Sequence, residues 1–332
     1  MSPSLPPLRA GQRLNEFVLL APLASSGASA LYLAQPADHG RLREQASVLL
    51  ARLGVWRGRF DRLAALKIAY PDYQANLHDE HGYLSRADLR HPHLVELYSR
   101  RCQRAKGQLP RDLGLARLPG EGRSEGRSIV YLALAFEPGP TLARLLRWRR
   151  ARPLDPTLAV HIVHQTAQAL RHLHDHELVH HDVKPGNIIL RPTRGIVDVA
   201  LIDLGAAESL RAPRQRSIYG TWRYLPPERL TGSSPQTVTP QIDVYGLGRT
   251  LEEMLIGSLD EDESAAAGNA PGRVATARVE RPRISAELDH LVRDATARCL
   301  EQRRRRLPSM RAFIERLEAT PEFQRAPAPT RV

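Results

Sequence analysis

The stretch His180-His181-Asp182-Val183-Lys184-Pro185-Gly186-Asn187 constrains this chain more than any other. It holds an acid, an ammonium and an amide. The apolar triplet Ile188-Ile189-Leu190 follows, and after a short hairpin Leu201-Ile202-Asp203-Leu204-Gly205 supplies a second acid. Asp182, Lys184, Asn187 and Asp203 are groups that can converge on a phosphate and its metal ions.

A chain of 332 residues suits one large domain or two lobes, and 42% hydrophobic residues suffice for a packed core. Cys102 and Cys299 lie far apart, nothing before residue 20 resembles a secretory leader, and no apolar run approaches the roughly 18 to 20 residues of a membrane-spanning helix. The expectation is a soluble, reduced, cytoplasmic protein without a membrane span. The net charge of +12 is scattered, with short clusters at Arg147 to Arg152 and Arg303 to Arg306. Scatter of this kind argues against nucleic acid as a partner and favours acidic segments of a substrate.

Of the 48 basic residues only Lys67, Lys106 and Lys184 are lysines, which leaves 45 arginines. In such a chain a retained lysine marks a site shaped for a compact ammonium, because a planar guanidinium fork does not fit the same space. Lys106 sits in an irregular stretch and reads as a solvated charge. The other two fall within motifs.

Residues 1 to 13, with prolines at 3, 6 and 7, read as a disordered lead-in. Strand-like pattern then runs through Phe17 to Leu20, a turn at Ala24 to Ser29, and Leu31 to Ala34. Ala64 to Ala69 reads as a third strand carrying Lys67. The helix after it offers Glu80 as the carboxylate that holds Lys67, with Asp79 still open. Residues 36 to 62 read as an insertion that is either surface elaboration or a docking element for a regulatory partner; residues 103 to 128, rich in Gly and Arg, read as a flexible loop. Ser128 to Gly139 reads as a strand and hinge. Thr141-Leu142 opens a helix whose tail, Arg147-Trp148-Arg149-Arg150, either binds an acidic partner or is a wet face. From Pro156 to His176 the apolar residues recur at the three- and four-residue steps of a helix with one buried face. His172, His174 and His176 alternate, which scatters them around that helix and, with no cysteine beside them, speaks against zinc. Residues 258 to 283 read as a loop and residues 321 to 332 as a disordered tail.

In their order and spacing these segments resemble the motifs of the protein kinase superfamily. His180 to Asn187 is similar to H-R-D-x-K-x-x-N, Asp203-Leu204-Gly205 to D-F-G, Ala64 to Lys67 to V-A-I-K, and His91 to Val95 to H-P-x-x-V. Gly220 to Glu228 is similar to G-T-x-x-Y-x-x-P-E, and Asp243 to Gly248 to D-V-Y-S-L-G. The resemblance runs from about Leu14 to Leu317 and is to eukaryotic-like (Hanks-type) bacterial serine/threonine kinases. It implies an α+β, bilobal protein-kinase-like fold: a small β-rich N-lobe with one long helix over residues 14 to 137 and a larger, mostly helical C-lobe over residues 138 to 320. It also implies transfer of the γ-phosphoryl of ATP, with Mg²⁺ or Mn²⁺, to Ser/Thr hydroxyls of protein substrates.

By this resemblance Asp182 accepts the substrate hydroxyl proton and Lys184 stabilises the transferring phosphate, while Asn187 and Asp203 hold the metal ions. Lys67, braced by Glu80, meets the α- and β-phosphates. Ala65, Leu31, Ser26, Gly27 and Ile189 line the nucleotide site, and Ala135 and Glu137 present backbone groups to adenine. Thr221 touches Asp182 and Lys184, and Asp243 braces the catalytic loop. Ser217 and Thr221 are the hydroxyls that modification would reach.

Four departures stand beside the resemblance. His181 replaces the motif's Arg and Leu204 its Phe. The three glycines of the phosphate loop become Ala24, Ser26 and Ser29, and the single glycine of the loop, Gly27, stands at none of those positions. The arginine that pairs with Glu228 becomes Leu307, with Arg306 displaced by one. The departures motivate an alternative, a pseudokinase acting as a nucleotide-binding or scaffolding module, and behind it a basic nucleic-acid adaptor. The retained Lys67 and Lys184 favour the active enzyme.

Overall fold

The computed structural model describes residues 8–26, 28–37, 63–102, 111–117, 128–150, 152–191, 197–211, 221–230, 238–257 and 284–325. Gly27, the bulk of the 36–62 segment, Ser217 and the 258–283 loop lie outside them. The chain divides into two compact units, Met1–Pro140 with Ile202–Gly205, and Thr141–Leu201 with Ala206–Val332.

The first unit is built on β1 (Arg13–Leu14), β2 (Phe17–Ser25), β3 (Ser29–Pro36), β4 (Ala64–Ala69), helix α1 (Gln74–Leu84), the short α2 (Tyr98–Arg101), β5 (Leu113–Arg117) and β6 (Ser128–Ala135). The strands form one antiparallel sheet in the order β1-β2-β3-β4-β6-β5. All six residues of β4 are buried, as a central strand covered on both faces requires. On one side Phe17 meets Tyr98 and Tyr131 edge-on at centroid distances of 5.4 and 6.0 Å, a geometry that adds about 0.5–1.5 kcal/mol per pair to their burial. Register places Leu31 and Leu132 on either side of Lys67.

Two expectations are corrected in this unit. The lead-in is ordered from Leu8, which packs against the Phe17 core while the Gly11 N–H donates to Leu19 O at 2.8 Å. The loop expected at 103 to 128 contains β5, an edge strand paired with β6 over Leu113–Arg117. Gly114 makes room in this strand: a Cβ on it would lie 2.4 Å from the Tyr131 ring.

The second unit contains α3 (Leu142–Trp148), α4 (Pro156–Asp175), β7 (Leu178–Val179), β8 (Ile188–Arg191), β9 (Asp198–Leu201), β10 (Glu208–Ser209), α5 (Pro227–Leu230), α6 (Gln241–Ile256), α7 (Ala286–Ala295), α8 (Leu300–Arg306), α9 (Met310–Glu318) and α10 (Pro321–Gln324). Asp155 caps α4, its carboxylate accepting from the Leu158 N–H at 3.2 Å, and Pro156 fills the first turn where no donor is needed. The apolar face of α4 packs on α6 and α9. Two small antiparallel ladders, β7 with β10 and β8 with β9, frame the loop between Val179 and Ile188. Gly246 lets α6 approach that loop closely, since a Cβ there would sit 2.9 Å from Val183 O.

The tail expected from Pro321 is also corrected. Residues 321–324 are helical, Thr320 caps Phe323 N–H at 3.3 Å, and the buried Glu322 carboxylate accepts from Ser285 N–H at 2.5 Å and Ser285 Oγ at 2.7 Å. Ordering follows because Glu322 satisfies the start of α7, whose N-cap is Ser285. No helix among the described residues is long and apolar enough to cross a membrane.

Candidate active site

In the first unit the site is assembled around Lys67. Its Nζ lies 2.6 Å from Glu80 Oε2 and 2.5 Å from Asp203 Oδ1. Helix α1 supplies Glu80 rather than Asp79, because adjacent helical residues point about 100° apart. A 3₁₀ turn at Ala87–Leu89 lies between α1 and His91-Pro92. Glu80 is fully buried, and its other oxygen accepts from the Leu204 N–H at 3.0 Å. The Gly205 N–H donates to Asp203 Oδ1 at 3.2 Å. Asp203 itself has φ 72°, a left-handed backbone that costs energy for a residue with a Cβ.

Burial alone would lower the Lys67 pKa, yet the Asp203 and Glu80 carboxylates overcome it and hold the ammonium above its ordinary value. Burial pushes the Glu80 carboxyl up, against the pull of Lys67. One ammonium between two carboxylates leaves an excess negative charge, and the Asp203 side chain is 40% exposed. Such an oxygen set suits a hard divalent cation.

The remaining expected residues of this unit fall as follows. Ala65 pairs with Leu33 and Leu134 in the middle of the sheet. The Ser26 hydroxyl closes its own turn, donating to Ser29 O at 3.3 Å and accepting from the N–H groups of Ala28 at 3.3 Å and Ser29 at 3.2 Å. It does not stand out as a donor for phosphate, because a short hydroxyl side chain is captured by the nearest backbone. The Ala135 N–H donates to Glu96 O at 2.9 Å. The Glu137 carboxylate is buried against Arg101, 2.5 Å away, and Arg101 also donates to Phe136 O at 3.1 Å. Sequence reasoning misses Arg101; its only signal is a buried acid two residues past a strand end.

In the second unit the loop from His180 to Asn187 is pinned from below. Asp243, fully buried in the first turn of α6, accepts from the His180 N–H at 2.8 Å and the His181 N–H at 2.9 Å, and its Oδ2 meets His174 Nε2 at 2.8 Å. Burial raises this carboxyl, but the His174 hydrogen bond and the neighbouring imidazoles outweigh it, and Asp243 titrates below the usual carboxylate range. His174, which the sequence offers only as one histidine of several, is thus a brace for the loop. His181 takes φ 67° and is buried, with Nε2 3.7 Å from Glu208 Oε2.

Above this brace the functional groups interlock. Asp182 Oδ2 accepts from Lys184 Nζ at 2.7 Å and from Asn187 Nδ2 at 3.0 Å, and Asn187 Nδ2 also donates to Asp182 O at 2.8 Å. Lys184 Nζ donates onward to Thr221 Oγ1 at 3.1 Å. With two acceptors facing the amide nitrogen, the Asn187 Oδ1 is the atom that remains for a cation. Ile189 sits in β8 opposite Ala200 and bridges to Thr141.

The contact of Glu228 is re-registered rather than lost: its partner is Arg303. Arg303 is fully buried, donates to Ala297 O at 2.6 Å and lies 5.3 Å from the Tyr245 ring centroid. Arg306 pairs instead with Asp294 at 2.7 Å. A long arginine one helical turn earlier reaches the carboxylate that a residue at 307 would otherwise meet, and Leu307 is buried.

Among solved structures, the kinase domain of Mycobacterium tuberculosis PknI superposes with a TM-score of 0.61 at 21% identity, covering 94% of this chain and 98% of that one, a likeness of fold. Among curated proteins, the serine/threonine-protein kinase PknB of Mycobacterium leprae is 30% identical over 248 residues, 70% of this chain and 38% of the relative. PrkC of Bacillus subtilis, also a serine/threonine-protein kinase, is 27% identical over 250 residues, 72% of this chain and 34% of the relative. The chain thus spans between a third and two fifths of these relatives' length. The model of the protein kinase domain family matches residues 61–315, which takes in Lys67, Glu80, the loop around Asp182 and the Glu228–Arg303 pair, and the chain belongs to that family.

Proposed function

We propose that this chain transfers the γ-phosphoryl group of ATP to Ser/Thr hydroxyls of protein substrates. One observation carries the reading: Lys184 Nζ joins Asp182 to Thr221, tying the acid that would take the hydroxyl proton to the segment that would hold the substrate. Asp182 commits Oδ2 to Lys184 and Asn187, which leaves Oδ1 to orient the attacking hydroxyl. Lys184 lies beside that acid and would neutralise charge on the phosphoryl in transfer.

Lys67, kept charged by Glu80 and Asp203, would meet the α- and β-phosphates. Ala65, Leu31 and Ile189 would contribute apolar surface to the nucleotide, and the backbone at Ala135 and Glu137 would meet adenine. Mg²⁺ or Mn²⁺ held by Asp203 and Asn187 Oδ1 would supply charge neutralisation on the β- and γ-phosphates. Asp243 keeps the loop in the shape that gives Asp182 its direction.

Purified protein with γ-labelled ATP and Mg²⁺ should label itself or a generic basic protein. Asp182→Ala should cost about 10²–10⁴-fold in rate, and Lys67→Met should abolish the label. Absence of label together with absence of an ATP-dependent thermal shift would sink the reading. Tight ATP binding without transfer would identify a nucleotide-binding scaffold instead.

A further inference from the structure

We infer that the C-terminal end of α3 and the turn after it form a docking surface for an acidic segment of a protein partner. Residues 141–154 contain five arginines, Arg144, Arg147, Arg149, Arg150 and Arg152, and no acidic residue. The last four are exposed, and among the described residues no carboxylate pairs with them. Trp148 stands among them 50% exposed, with the Arg144 guanidinium 4.5 Å from its ring centroid.

The other basic cluster shows that this is not simply the habit of an arginine-rich chain. Arg303 pairs with Glu228, Arg304 with Glu301 at 3.5 Å and Arg306 with Asp294 at 2.7 Å, so three of that cluster's four arginines spend their charge internally. Helix-end electrostatics accounts for Arg147 and for Arg149, which donates to Pro153 O at 3.0 Å. It does not account for Arg150 and Arg152, which lie beyond the helix, or for an exposed tryptophan.

The chemistry of the patch selects its occupant. Guanidinium forks match carboxylates two by two, and a rigid aromatic ring is the usual anchor of a small interface. A membrane surface would need several apolar side chains on the same face, but Leu142, Leu146 and Leu154 are all buried. A nucleic acid would need the positive stripe to continue along its backbone. The patch also belongs to the unit that carries Asp182, and Thr141, which caps α3, bridges to Ile189 two residues past Asn187. A protein held at α3 is therefore held on the unit that bears the proposed catalytic acid. The binding does not depend on the phosphoryl-transfer reading.

The test is fluorescence anisotropy on the full chain, without nucleotide, using a fluorescein-labelled synthetic peptide of alternating Glu and Asp around one central Phe. Parallel arms use a single-stranded oligonucleotide and phosphatidylserine vesicles. The peptide should bind, weaken with added salt, and lose at least about tenfold in affinity in Trp148→Ala and in the pair Arg147→Glu, Arg152→Glu. Arg304→Glu should bind as the parent does, and every variant should melt with the parent because each altered residue is exposed. Four results would each overturn the inference: no binding, binding insensitive to these substitutions, tighter binding of oligonucleotide or vesicle through the same residues, or peptide binding only after Asp260, Glu261, Asp262 and Glu263 are neutralised. The last would mean that the chain's own acidic run takes the patch. Because no ATP is present, failure here leaves the kinase reading standing, and failure of that reading leaves this one standing.

Discussion

Replacing Arg303 with leucine tests whether the fold of the second unit rests on the pair found here or on the one that sequence spacing suggests. Arg303 is fully buried and Glu228 only 26% exposed, so Arg303→Leu leaves a carboxylate with little water and without its ion-pair partner. Removing one partner of a buried pair costs about 3–5 kcal/mol, and partial exposure of Glu228 brings this to about 2–4. The Ala297 carbonyl also loses a charged donor at 2.6 Å, worth about 1–2 kcal/mol more. Because these terms share one side chain they do not add fully, and the expected total is about 3–5 kcal/mol. At about 2–4 °C per kcal/mol for domains of this size, the unfolding midpoint should fall by roughly 10 °C. Arg306→Leu should cost under about 1 kcal/mol, since Arg306 is 55% exposed and Asp294 keeps Arg316 at 2.8 Å. Thermal melts and a double-mutant cycle with Glu228→Leu give the coupling directly. If Arg306→Leu proves as costly as Arg303→Leu, or if the cycle shows no coupling between Arg303 and Glu228, the assignment is wrong.

Asp243 accepts from three donors, and Asp243→Asn can satisfy at most two of them, which should cost about 2–4 kcal/mol at neutral pH by urea unfolding. Its folded pKa lies below the unfolded value of about 3.9. Its contribution is therefore complete above that value and is lost as pH falls through the folded one, so the variant's deficit should shrink on acidification. Gly114→Val drives a side chain into the Tyr131 ring and should destabilise the first unit by about 1–3 kcal/mol with altered near-ultraviolet dichroism. Gly82→Ala in α1, where a Cβ meets nothing within 4 Å, should instead be neutral or stabilising by about 0.5–1 kcal/mol.

The strands and helices that carry regular apolar spacing are legible in the sequence, among them β4, α4 and the β8–β9 hairpin. So are the groups of the proposed site, because phosphate chemistry restricts which residue types can stand at Lys67, Asp182, Lys184, Asn187 and Asp203. What escapes has a common physical origin. The β5 strand is hidden because its glycine serves a ring on the next strand, a relation that no local window contains. Arg303 and Arg101 escape because long cations reach several residues' distance in space, and register alone does not say which arginine of a run arrives. His174 looks like one of several exposed histidines, and only the position of Asp243, far along the chain, gives it work. Ser26 adds a relation that the sequence leaves open: its hydroxyl bonds within its own turn.

The contrast between 45 arginines and three lysines leads to one more expectation. Lys67 Nζ is a point charge gripped between Glu80 Oε2 at 2.6 Å and Asp203 Oδ1 at 2.5 Å. A Cβ on Gly205 would come within 3.0 Å of it, so the space around the ammonium is closed on a third side as well. A guanidinium is wider by two further nitrogens and planar. To fit, it would have to displace Asp203, the proposed metal ligand, or pull away from Glu80. Lys67→Arg keeps the charge that the two carboxylates require, so it should remain folded, melting below the parent but above Lys67→Met. The same substitution should reduce kcat/KM for phosphoryl transfer by at least about 100-fold, roughly 2.7 kcal/mol of transition-state stabilisation. Steady-state kinetics with labelled ATP beside a melt separates the two effects. Activity within tenfold of the parent would show that the pocket accepts any cation, and the scarcity of lysine would then carry no information about the site. A folded but inactive variant would show that shape, and not charge, kept a lysine there while nearly every other basic position became arginine.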